Sequence, residues 1–331
     1  MKVVITGGAG FLGMRLALAL LERGQLTGAS GQPEPIDELV LLDVIPSARI
    51  DDKRIRNVAG DIADPAVIQR ALGADTNTVF HLAAIVSGQA EADFELGMRI
   101  NLDATRSLLE ACRALPQPPR FVFASSVAVF GGALPEVVPE SIELNPQTSY
   151  GTQKTIGELL VNDYGRRGFV DARAFRLPTI CVRPGKPNLA ASSFASGIIR
   201  EPLQGIDAEC PVARETRMWL SAPRTAIANL IHGHELDGAL LGFNRALSLP
   251  GLCVTVAGML KSLESVAGKT VAARVHFRRE ETIDRLVSSW PGELNAARAL
   301  SLGFSVDHDF AAIIRMHIEE SARQAVRSTG R

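Results

Sequence analysis

The sequence has few of the features that would set it apart from an ordinary globular protein. Only four of its 331 residues are cysteines, and none lies in a Cys-x-x-Cys motif. The formal net charge is −1, from 35 basic and 36 acidic residues, which argues against nucleic-acid binding and a polybasic membrane anchor. Apolar runs are far shorter than the roughly 20 residues of a membrane span. We therefore expect a cytoplasmic protein with reduced thiols, no signal peptide, no membrane association and no nucleic-acid partner.

Metal-binding patterns are also missing from the sequence. His232 and His234 form a His-x-His pair, but no third ligand lies near them in the chain. No cluster of cysteine and histidine has the spacing of a zinc site. We predict no metal.

Short apolar runs alternate with helical periodicity through the first half of the chain. Runs such as Val3–Thr6 and Leu39–Asp43 are apolar on both faces, which is typical of parallel strands covered by helices. This alternation predicts the α/β class, with a Rossmann-type doubly wound parallel sheet. Further predicted elements are helices at Phe11–Arg23, Pro65–Leu72 and Phe94–Cys112, and strands at Thr78–Leu82 and Phe121–Ser125.

The regular alternation weakens after residue 175, where prolines divide the chain into short pieces. We expect residues 1–175 to form the Rossmann domain, with some later segments returning to the sheet. Residues 176–331 are expected to form a smaller, mixed α/β, substrate-binding lobe at the C-terminus. Within it, Val271–Val275 is predicted as a strand and Glu281–Ser288 as a helix. In the first half, Thr27–Pro35 is rich in glycine and proline and is predicted as a surface loop.

Three glycines follow the first predicted strand and open the first predicted helix. Gly7, Gly10 and Gly13 have the spacing Gly-x-x-Gly-x-x-Gly. In such a turn the first glycine allows the tight bend, the second lets the backbone approach a pyrophosphate, and the third lets helix and sheet pack closely. The helix N-terminus adds N–H groups and a partial positive charge. The turn therefore predicts a dinucleotide site, with a glycine-rich turn that binds nothing as the alternative.

Two acidic residues follow later strands of the predicted sheet. Asp43 ends the second strand, where a carboxylate can bind the ribose 2′-hydroxyl and would repel a 2′-phosphate. NAD is therefore favoured over NADP as the cofactor. Asp43 lies 30 residues after Gly13 rather than the usual ~20, which the loop at Thr27–Pro35 explains. Asp61 could contact the adenine; the alternatives are a turn cap for Asp43 and a helix cap before Pro65 for Asp61.

The reacting groups are predicted at Tyr150, Lys154 and Ser126. Tyrosine is rare here, with two in the chain, so a chance Tyr-x-x-x-Lys pair is rarer than usual. In a helix capped by Thr148 or Ser149, this spacing places Tyr150 and Lys154 on one face. A phenol has a pKa of about 10, and a nearby ammonium favours its ionised form. Tyr150 could then remove a hydroxyl proton as hydride leaves the same carbon.

Ser126 follows a predicted strand at the edge where open α/β sheets bind ligands. Its hydroxyl would hold the substrate oxygen against the phenol. Ser125 is the competing candidate for this role.

These motifs, with Asp61-Ile62, His81-Leu82-Ala83-Ala84 and Asn101, resemble the extended short-chain dehydrogenase/reductase family over nearly the full chain. The resemblance implies that Leu82–Ala84 line the nicotinamide ribose and that Asn101 supports the active-site helix. It also implies that Leu177 to Ile180 flank the nicotinamide and that the protein is a homodimer. The cofactor-binding residues expected on these grounds are Gly7, Gly10, Phe11, Leu12, Gly13, Asp43, Asp61, Ile62, Leu82, Ala83, Ala84, Asn101, Tyr150, Lys154, Leu177, Thr179 and Ile180.

Further segments indicate the substrate. Ile85–Glu91, Val129–Gly132, Leu177–Asn188 and Ala190–Gly197 resemble a subgroup that oxidises the C2 hydroxyl of a four-carbon sugar acid with NAD. The resemblance implies D-erythronate as substrate. Arg183 is a candidate for holding its carboxylate, and a surface or intersubunit arginine is the alternative. The substrate-binding residues expected are Ser87, Gln89, Ser126, Tyr150, Thr179, Arg183 and Ser193.

Other reactions occur on the same scaffold. A sugar-nucleotide 4-epimerase is the main alternative, since it shares the fold and the cofactor. A dehydratase is disfavoured because Val127-Ala128 stands where dehydratases of this family usually have an Asp-Glu pair. A non-catalytic NAD sensor is the remaining alternative, and the complete set of reacting residues argues against it.

Overall fold

The computed structural model of the protein describes residues 1–47, 50–185 and 189–329. Contacts divide the chain into two compact units. The first unit comprises Met1–Val129, Thr148–Leu177 and Ile227–Leu249, and the second comprises Phe130–Gln147, Pro178–Ala226 and Pro250–Arg331. Relative to the predicted division after residue 175, the second unit therefore also contains 130–147, and the first also contains 227–249.

The described strands, in chain order, are β1 Lys2–Thr6, β2 Gln25–Thr27, β3 Pro33–Pro35, β4 Glu38–Asp43, β5 Ile55–Ala59, β6 Thr76–His81, β7 Arg120–Ser126, β8 Asp171–Leu177, β9 Thr179–Ile180, β10 Ala208–Cys210, β11 Arg217–Ser221, β12 Ala246–Ser248, β13 Leu252–Thr255 and β14 Val275–Phe277. The α-helices are α1 Phe11–Arg23, α2 Pro65–Ala71, α3 Ser87–Ala92, α4 Phe94–Gly97, α5 Ala104–Arg113, α6 Ser149–Arg166, α7 Ser193–Leu203, α8 Pro223–Glu235, α9 Val256–Ala267, α10 Lys269–Ala272, α11 Glu281–Ser288, α12 Ala297–Ser301 and α13 Phe310–Thr329. Met98–Asp103 is a π-helix, and Val127–Val129 and Gly238–Leu241 are short 3₁₀ helices.

A seven-stranded parallel sheet organises the first unit, in the order β12-β8-β7-β6-β1-β4-β5. After β1 the chain builds outward through β4 and β5, then returns to place β6 on the other side of β1. This reversal is the switch point at which open α/β sheets bind ligands beyond the carboxyl ends of their strands. The predicted doubly wound sheet is confirmed, and the glycine-rich turn after β1 lies at its switch point.

The core of this unit explains why the central strands are rich in apolar residues. Val4, Val40, Val79, Phe121 and Ala172 come from five neighbouring strands and belong to one buried apolar cluster. Strands covered on both faces, such as β1, are apolar at consecutive positions, whereas β8 also carries buried arginines.

Three predicted elements differ from the structure. The predicted loop at Thr27–Pro35 contains most of a small antiparallel pair of β2 and β3, too short and too rich in proline to give a strand pattern. The predicted helix at Phe94–Cys112 is interrupted by the π-helix at Met98–Asp103. The predicted strand at Val271–Val275 begins in helix α10, continues through a turn, and overlaps β14 only at its last residue. Short apolar runs do not distinguish helix from strand.

The second unit has its own sheets and its own core. Strands β13, β11 and β9 form one sheet, and β10 pairs with β14 in another. Phe194, Ile198, Leu220, Met259 and Ile313 are buried in the apolar cluster of this unit. Helix α11 has the predicted bounds. Among the helices that the structure describes, none has the length and apolar character needed to cross a membrane.

Candidate active site

The turn between β1 and α1 is packed so closely that two of its glycines have no room for a side chain. Gly7 has φ +69°, a conformation that favours glycine. A Cβ on Gly7 would lie 2.9 Å from the backbone nitrogen of Ala83, and one on Gly13 would lie 2.1 Å from the carbonyl oxygen of Gly7. The N-cap of α1 is Gly10, which has no side chain to satisfy the first N–H groups of the helix. The turn therefore fits a pyrophosphate, which can approach the backbone and accept from these groups.

Asp43 lies at the end of β4, beside this turn. One carboxylate oxygen accepts from the backbone N–H of Ala9 at 3.0 Å, and the other accepts from that of Val44 at 2.8 Å. The carboxylate is thus fixed next to the glycine-rich turn and also caps its own strand end. The predicted contact between Asp43 and the cofactor ribose requires a carboxylate beside the glycine-rich turn. This contact stays a prediction.

Asp61 follows β5 and does not cap α2, because the N-cap of that helix is Asp64. Its carboxylate accepts from the N–H of Ala63 at 2.9 Å and pairs with Arg99 at 2.5 Å. The next residue, Ile62, is buried in the core of the unit. The helix-cap alternative for Asp61 is therefore wrong, and its contact with adenine stays a prediction.

A buried hydrogen-bond chain supports the end of β6. The Thr6 hydroxyl lies 2.7 Å from Nδ1 of His81, whose Nε2 lies 2.9 Å from the hydroxyl of Thr105. The Thr6 hydroxyl also accepts from the N–H of Ala83 at 3.1 Å. Burial, with the nearby ammonium of Lys154, lowers the pKa of His81 to about 3. His81 is thus a neutral core histidine, and the Thr6 hydroxyl that it contacts also binds the segment Leu82–Ala84, which is predicted to line the nicotinamide ribose.

Asn101 joins this segment to the helix that carries Tyr150. Its side-chain oxygen accepts from the N–H of Ile85 at 2.8 Å, and its amide donates to the carbonyl of Ile85 at 3.1 Å. The amide also donates to the side chain of Gln153 in α6 at 2.7 Å. Asn101 lies in the π-helix, and single π-turns of this kind are frequent at functional sites. The predicted supporting role has a physical basis in these contacts, although Gln153 itself was not predicted.

Helix α6 presents Tyr150 and Lys154 on one face. Thr148 is its N-cap and accepts from the N–H of Gly151 at 3.0 Å, which decides between the two predicted caps. The ammonium of Lys154 lies 5.8 Å from the centre of the Tyr150 ring and 4.7 Å from that of Phe123. It donates to the carbonyl of Ala124 at 2.8 Å. The hydrogen bond to the end of β7 therefore holds the ammonium of Lys154 close to the Tyr150 ring.

The electrostatics of Lys154 suit this position. Its side chain is almost fully buried, and burial lowers its pKa to about 8. The carboxylate of Glu158, one helical turn further along, acts in the opposite direction and raises it. A cationic lysine next to a phenol favours the phenolate, which is the form that can accept a proton.

Ser126 and Ser125 have different environments at the end of β7. Ser125 is buried and donates to the carboxylate of Glu158 at 2.5 Å. Ser126 is only half-buried, and its hydroxyl accepts from the N–H of Ala128 at 3.2 Å. Strand β7 packs against α6, which carries Tyr150. Because Ser125 is engaged in the interior, Ser126 is the better candidate for contacting a substrate.

The structure also reveals an ion pair that the sequence did not predict. Glu158 and Arg176 are both buried, with a carboxylate oxygen 2.8 Å from a terminal guanidinium nitrogen. Arg176 lies in β8, 18 residues after Glu158. The one available signal was the continuation of Tyr150 and Lys154 by Glu158 at the same helical spacing.

The remaining substrate candidates fall in two groups. Ser87, buried, and Gln89, half-buried, lie in α3 of the first unit. Thr179, Arg183 and Ser193 belong to the second unit, as does Ile180, whereas Leu177 ends β8 in the first. Residues 186–188, within the segment Leu177–Asn188, lie outside the described residues.

The guanidinium of Arg183 is held within the second unit. It donates to the carbonyl of Ile180 at 3.0 Å and to the hydroxyl of Ser192 at 3.1 Å. The backbone N–H of Arg183 donates to the hydroxyl of Ser196 at 2.9 Å. An arginine fixed in this way can present its charge to a carboxylate with little loss of side-chain freedom.

His232 and His234 do not form a metal site in the described part of the chain. His234 is buried, lies 2.9 Å from the hydroxyl of Thr78 and stacks on Phe80. Within residues 1–47, 50–185 and 189–329, no group of three His, Cys, Asp or Glu is placed to hold a metal ion.

Comparison with known proteins places this site in a family. The sequence profile described as the NAD dependent epimerase/dehydratase family matches residues 3–221. A D-erythronate dehydrogenase of Cupriavidus necator is 60% identical over 321 residues, covering 97% of this chain and 99% of that protein. A D-erythronate dehydrogenase of Haemophilus influenzae is 48% identical over 320 residues, covering 96% of this chain and 99% of that protein.

A solved structure has the same fold over nearly the whole chain. It is described as a nucleoside-diphosphate-sugar epimerase from Agrobacterium tumefaciens and is 43% identical, with a TM-score of 0.89. The match covers 96% of this chain and 94% of that one.

Proposed function

The chain belongs to the NAD dependent epimerase/dehydratase family, and on that basis we propose that it oxidises the C2 hydroxyl of D-erythronate with NAD. The products are 2-dehydro-D-erythronate and NADH. The observation that carries this proposal is the face of α6, where the Lys154 ammonium lies 5.8 Å from the centre of the Tyr150 ring. The relatives named as D-erythronate dehydrogenases, at 60% and 48% identity, support this substrate.

Each reacting residue has one task in this oxidation. The Tyr150 phenolate accepts the proton of the C2 hydroxyl, as general bases do when a positioned group removes a proton in the transition state. Lys154 stabilises the phenolate through its charge, and Ser126 donates to the substrate oxygen. NAD, when bound, supplies the acceptor for the hydride. We assign the cofactor to the glycine-rich turn, Asp43 and Asp61.

The carboxylate of the substrate needs a cation, and we assign this task to Arg183. Its guanidinium already donates to Ile180 and Ser192, so it is oriented before a ligand binds. The expected effect of Arg183→Gln is a KM for D-erythronate raised by at least tenfold with a smaller change in kcat, because the charge acts in binding. An unchanged KM would remove Arg183 from this role.

The test of the proposal is a panel of substrates with NAD. D-erythronate, L-erythronate, D-threonate and L-threonate cover the four-carbon aldonates, and UDP-glucose represents the alternative sugar-nucleotide 4-epimerase. We expect NADH absorbance to grow with D-erythronate and to stay flat with UDP-glucose. Conversion of UDP-glucose to UDP-galactose, with no oxidation of any aldonate, would establish the epimerase instead.

We also propose that the protein is a cytoplasmic homodimer. The four cysteines are free thiols, as expected in a reducing compartment. Leu159 lies on α6 and is 62% exposed, which suits a helix that pairs between subunits in the family it resembles. Sedimentation of the wild type should give a dimer mass, and Leu159→Glu should shift it toward the monomer. A monomeric wild type would refute the dimer, and recovery in the periplasmic fraction would refute the location.

A further inference from the structure

The roles proposed for Tyr150, Lys154 and Ser126 leave the buried pair of Glu158 and Arg176, one helical turn beyond Lys154, without an assigned task. Glu158 is 2% exposed and Arg176 is 4% exposed. The Nε of Arg176 donates to both carboxylate oxygens of Glu158, at 3.0 and 3.1 Å, and a terminal nitrogen donates at 2.8 Å. Two charges removed from water in this way add little stability relative to an apolar pair of the same volume. Their location is therefore the feature that needs explanation.

The location follows from the period of the helix. Tyr150, Lys154 and Glu158 are spaced by four residues, so all three lie along one face of α6. Two of them bind consecutive residues at the end of β7. Lys154 donates to the carbonyl of Ala124 at 2.8 Å, and Glu158 accepts from the hydroxyl of Ser125 at 2.5 Å. These two contacts bind α6 to β7 at the two residues that precede Ser126, the predicted substrate-binding serine.

We propose that Glu158, oriented by Arg176, is a positioning residue that keeps Lys154 cationic and fixes the end of β7 against α6. This inference rests on the proposed function, since it assigns Glu158 a task in the oxidation. Glu158 touches neither substrate nor cofactor in this account, and it acts through Lys154 and Ser125.

The charges around Lys154 support this assignment. From α6, it is faced by the phenol of Tyr150 and the carboxylate of Glu158, and from β7 by a ring and a carbonyl. From β6, His81 is neutral at physiological pH because burial lowers its pKa to about 3. The guanidinium of Arg176, from β8, is bound to the Glu158 carboxylate. Burial lowers the pKa of Lys154 to about 8, and the negative charge of Glu158 opposes that shift.

The experiment titrates Lys154 directly, with and without that charge. The chain has six lysines, so protein labelled with ¹³C at the lysine Cε gives few signals, and Lys154→Met assigns the one of interest. In Glu158→Gln we expect the pKa of Lys154 to fall by about one unit, because the variant removes the negative charge that raises this pKa and leaves the guanidinium of Arg176 uncompensated. A pKa equal to that of the wild type would overturn the proposal.

Two further variants separate charge from packing. Ser125→Ala removes a hydrogen bond to the same carboxylate but keeps its charge, so the pKa of Lys154 is expected to stay near the wild-type value. If it falls as far as in Glu158→Gln, the charge is not the cause and the proposal fails. Should Glu158→Gln not fold, the double variant E158L/R176M removes both charges together. Because it also removes the positive charge of Arg176, it is expected to lower the pKa of Lys154 by less than Glu158→Gln does, and an unchanged pKa overturns the proposal.

Activity gives an independent measurement on the full enzyme. If kcat/KM for D-erythronate requires cationic Lys154, its fall at alkaline pH should move to lower pH in Glu158→Gln by the same amount as the pKa. A purely structural role for Glu158 would lower the melting temperature and leave this limb of the profile in place, which would overturn the proposal. If the wild type does not oxidise D-erythronate, the proposed function fails, while the titration of Lys154 still tests Glu158.

Discussion

The glycine-rich turn and the face of α6 that carries Tyr150 lie in the same unit, but the first is formed by backbone and the second by side chains. The turn is made by backbone, and its shape depends on the absence of side chains at Gly7 and Gly13. The face of α6 is made by side chains, and its two buried charged residues, Lys154 and Glu158, have partners on β7 and β8. Substitution should therefore affect the turn through crowding and the helix face through charge and proton transfer.

Tyr150→Phe is expected to give the largest effect, because it should lower kcat and leave NAD binding intact. This change removes the proton acceptor and leaves the ring, so kcat should fall by about 10²–10⁴-fold while the affinity for NAD stays within about twofold. Steady-state kinetics and calorimetric titration with NAD measure the two quantities. Tyr164→Phe is the matched control, because Tyr164 lies near the other end of α6 and donates to Glu110. An active Tyr150→Phe enzyme would favour the alternative of a non-catalytic NAD-binding protein.

Gly13→Ala should instead change the affinity for NAD. The added Cβ would lie 2.1 Å from the carbonyl oxygen of Gly7, so the turn must shift. Overpacking of this kind costs about 1–3 kcal/mol, and we expect the Kd for NAD to rise by about ten- to a hundredfold. Gly197→Ala is the matched control, since its nearest atom would lie at 3.5 Å and it should bind NAD as the wild type does. Wild-type affinity in Gly13→Ala would show that the turn does not hold the cofactor.

His81 lies between the two regions, and its effect should appear in stability rather than in catalysis. Burial lowers its pKa to about 3, whereas the unfolded chain takes up the proton near pH 6.5. The stability contributed by neutral His81 is thus complete above pH 6.5 and is lost as the pH falls toward 3. Between pH 6.5 and 5 this amounts to about 2 kcal/mol of unfolding free energy. Denaturant titrations should show a shallower pH dependence for His81→Gln, and parallel curves would contradict this account.

The smallest effects are expected from the two serines of β7. Ser126→Ala removes a donor to the substrate oxygen, and we expect kcat to fall by about tenfold, equivalent to about 1.4 kcal/mol. Ser125→Ala should instead lower the unfolding free energy by about 1.5 kcal/mol, because its hydroxyl binds a buried carboxylate. Measuring kcat and the denaturation midpoint of both variants tests this division. If kcat falls further in Ser125→Ala than in Ser126→Ala, Ser125 rather than Ser126 is the serine that contacts the substrate.

Local patterns predicted much of this site. The glycine spacing, the Tyr-x-x-x-Lys spacing and the helix cap near Thr148 are relations within a few residues, where backbone geometry fixes which groups meet. The hydrogen bonds that support the site from more distant parts of the chain were missed. Gln153 meets Asn101 across 52 positions, and Thr6 meets His81 across 75. Such pairs depend on which strands become neighbours.

Local patterns were enough to define the α/β alternation, the glycine-rich turn and the face of α6 that carries Tyr150 and Lys154. Each depends on steric and helical periodicities that act over one or two turns of chain. The long-range contacts came from the fold alone: Ser125 donates to Glu158, Asp61 pairs with Arg99, and Arg176 pairs with the carboxylate one turn beyond Lys154. These choices depend on strand order and burial, since a charge removed from water must find its partner wherever the fold places one.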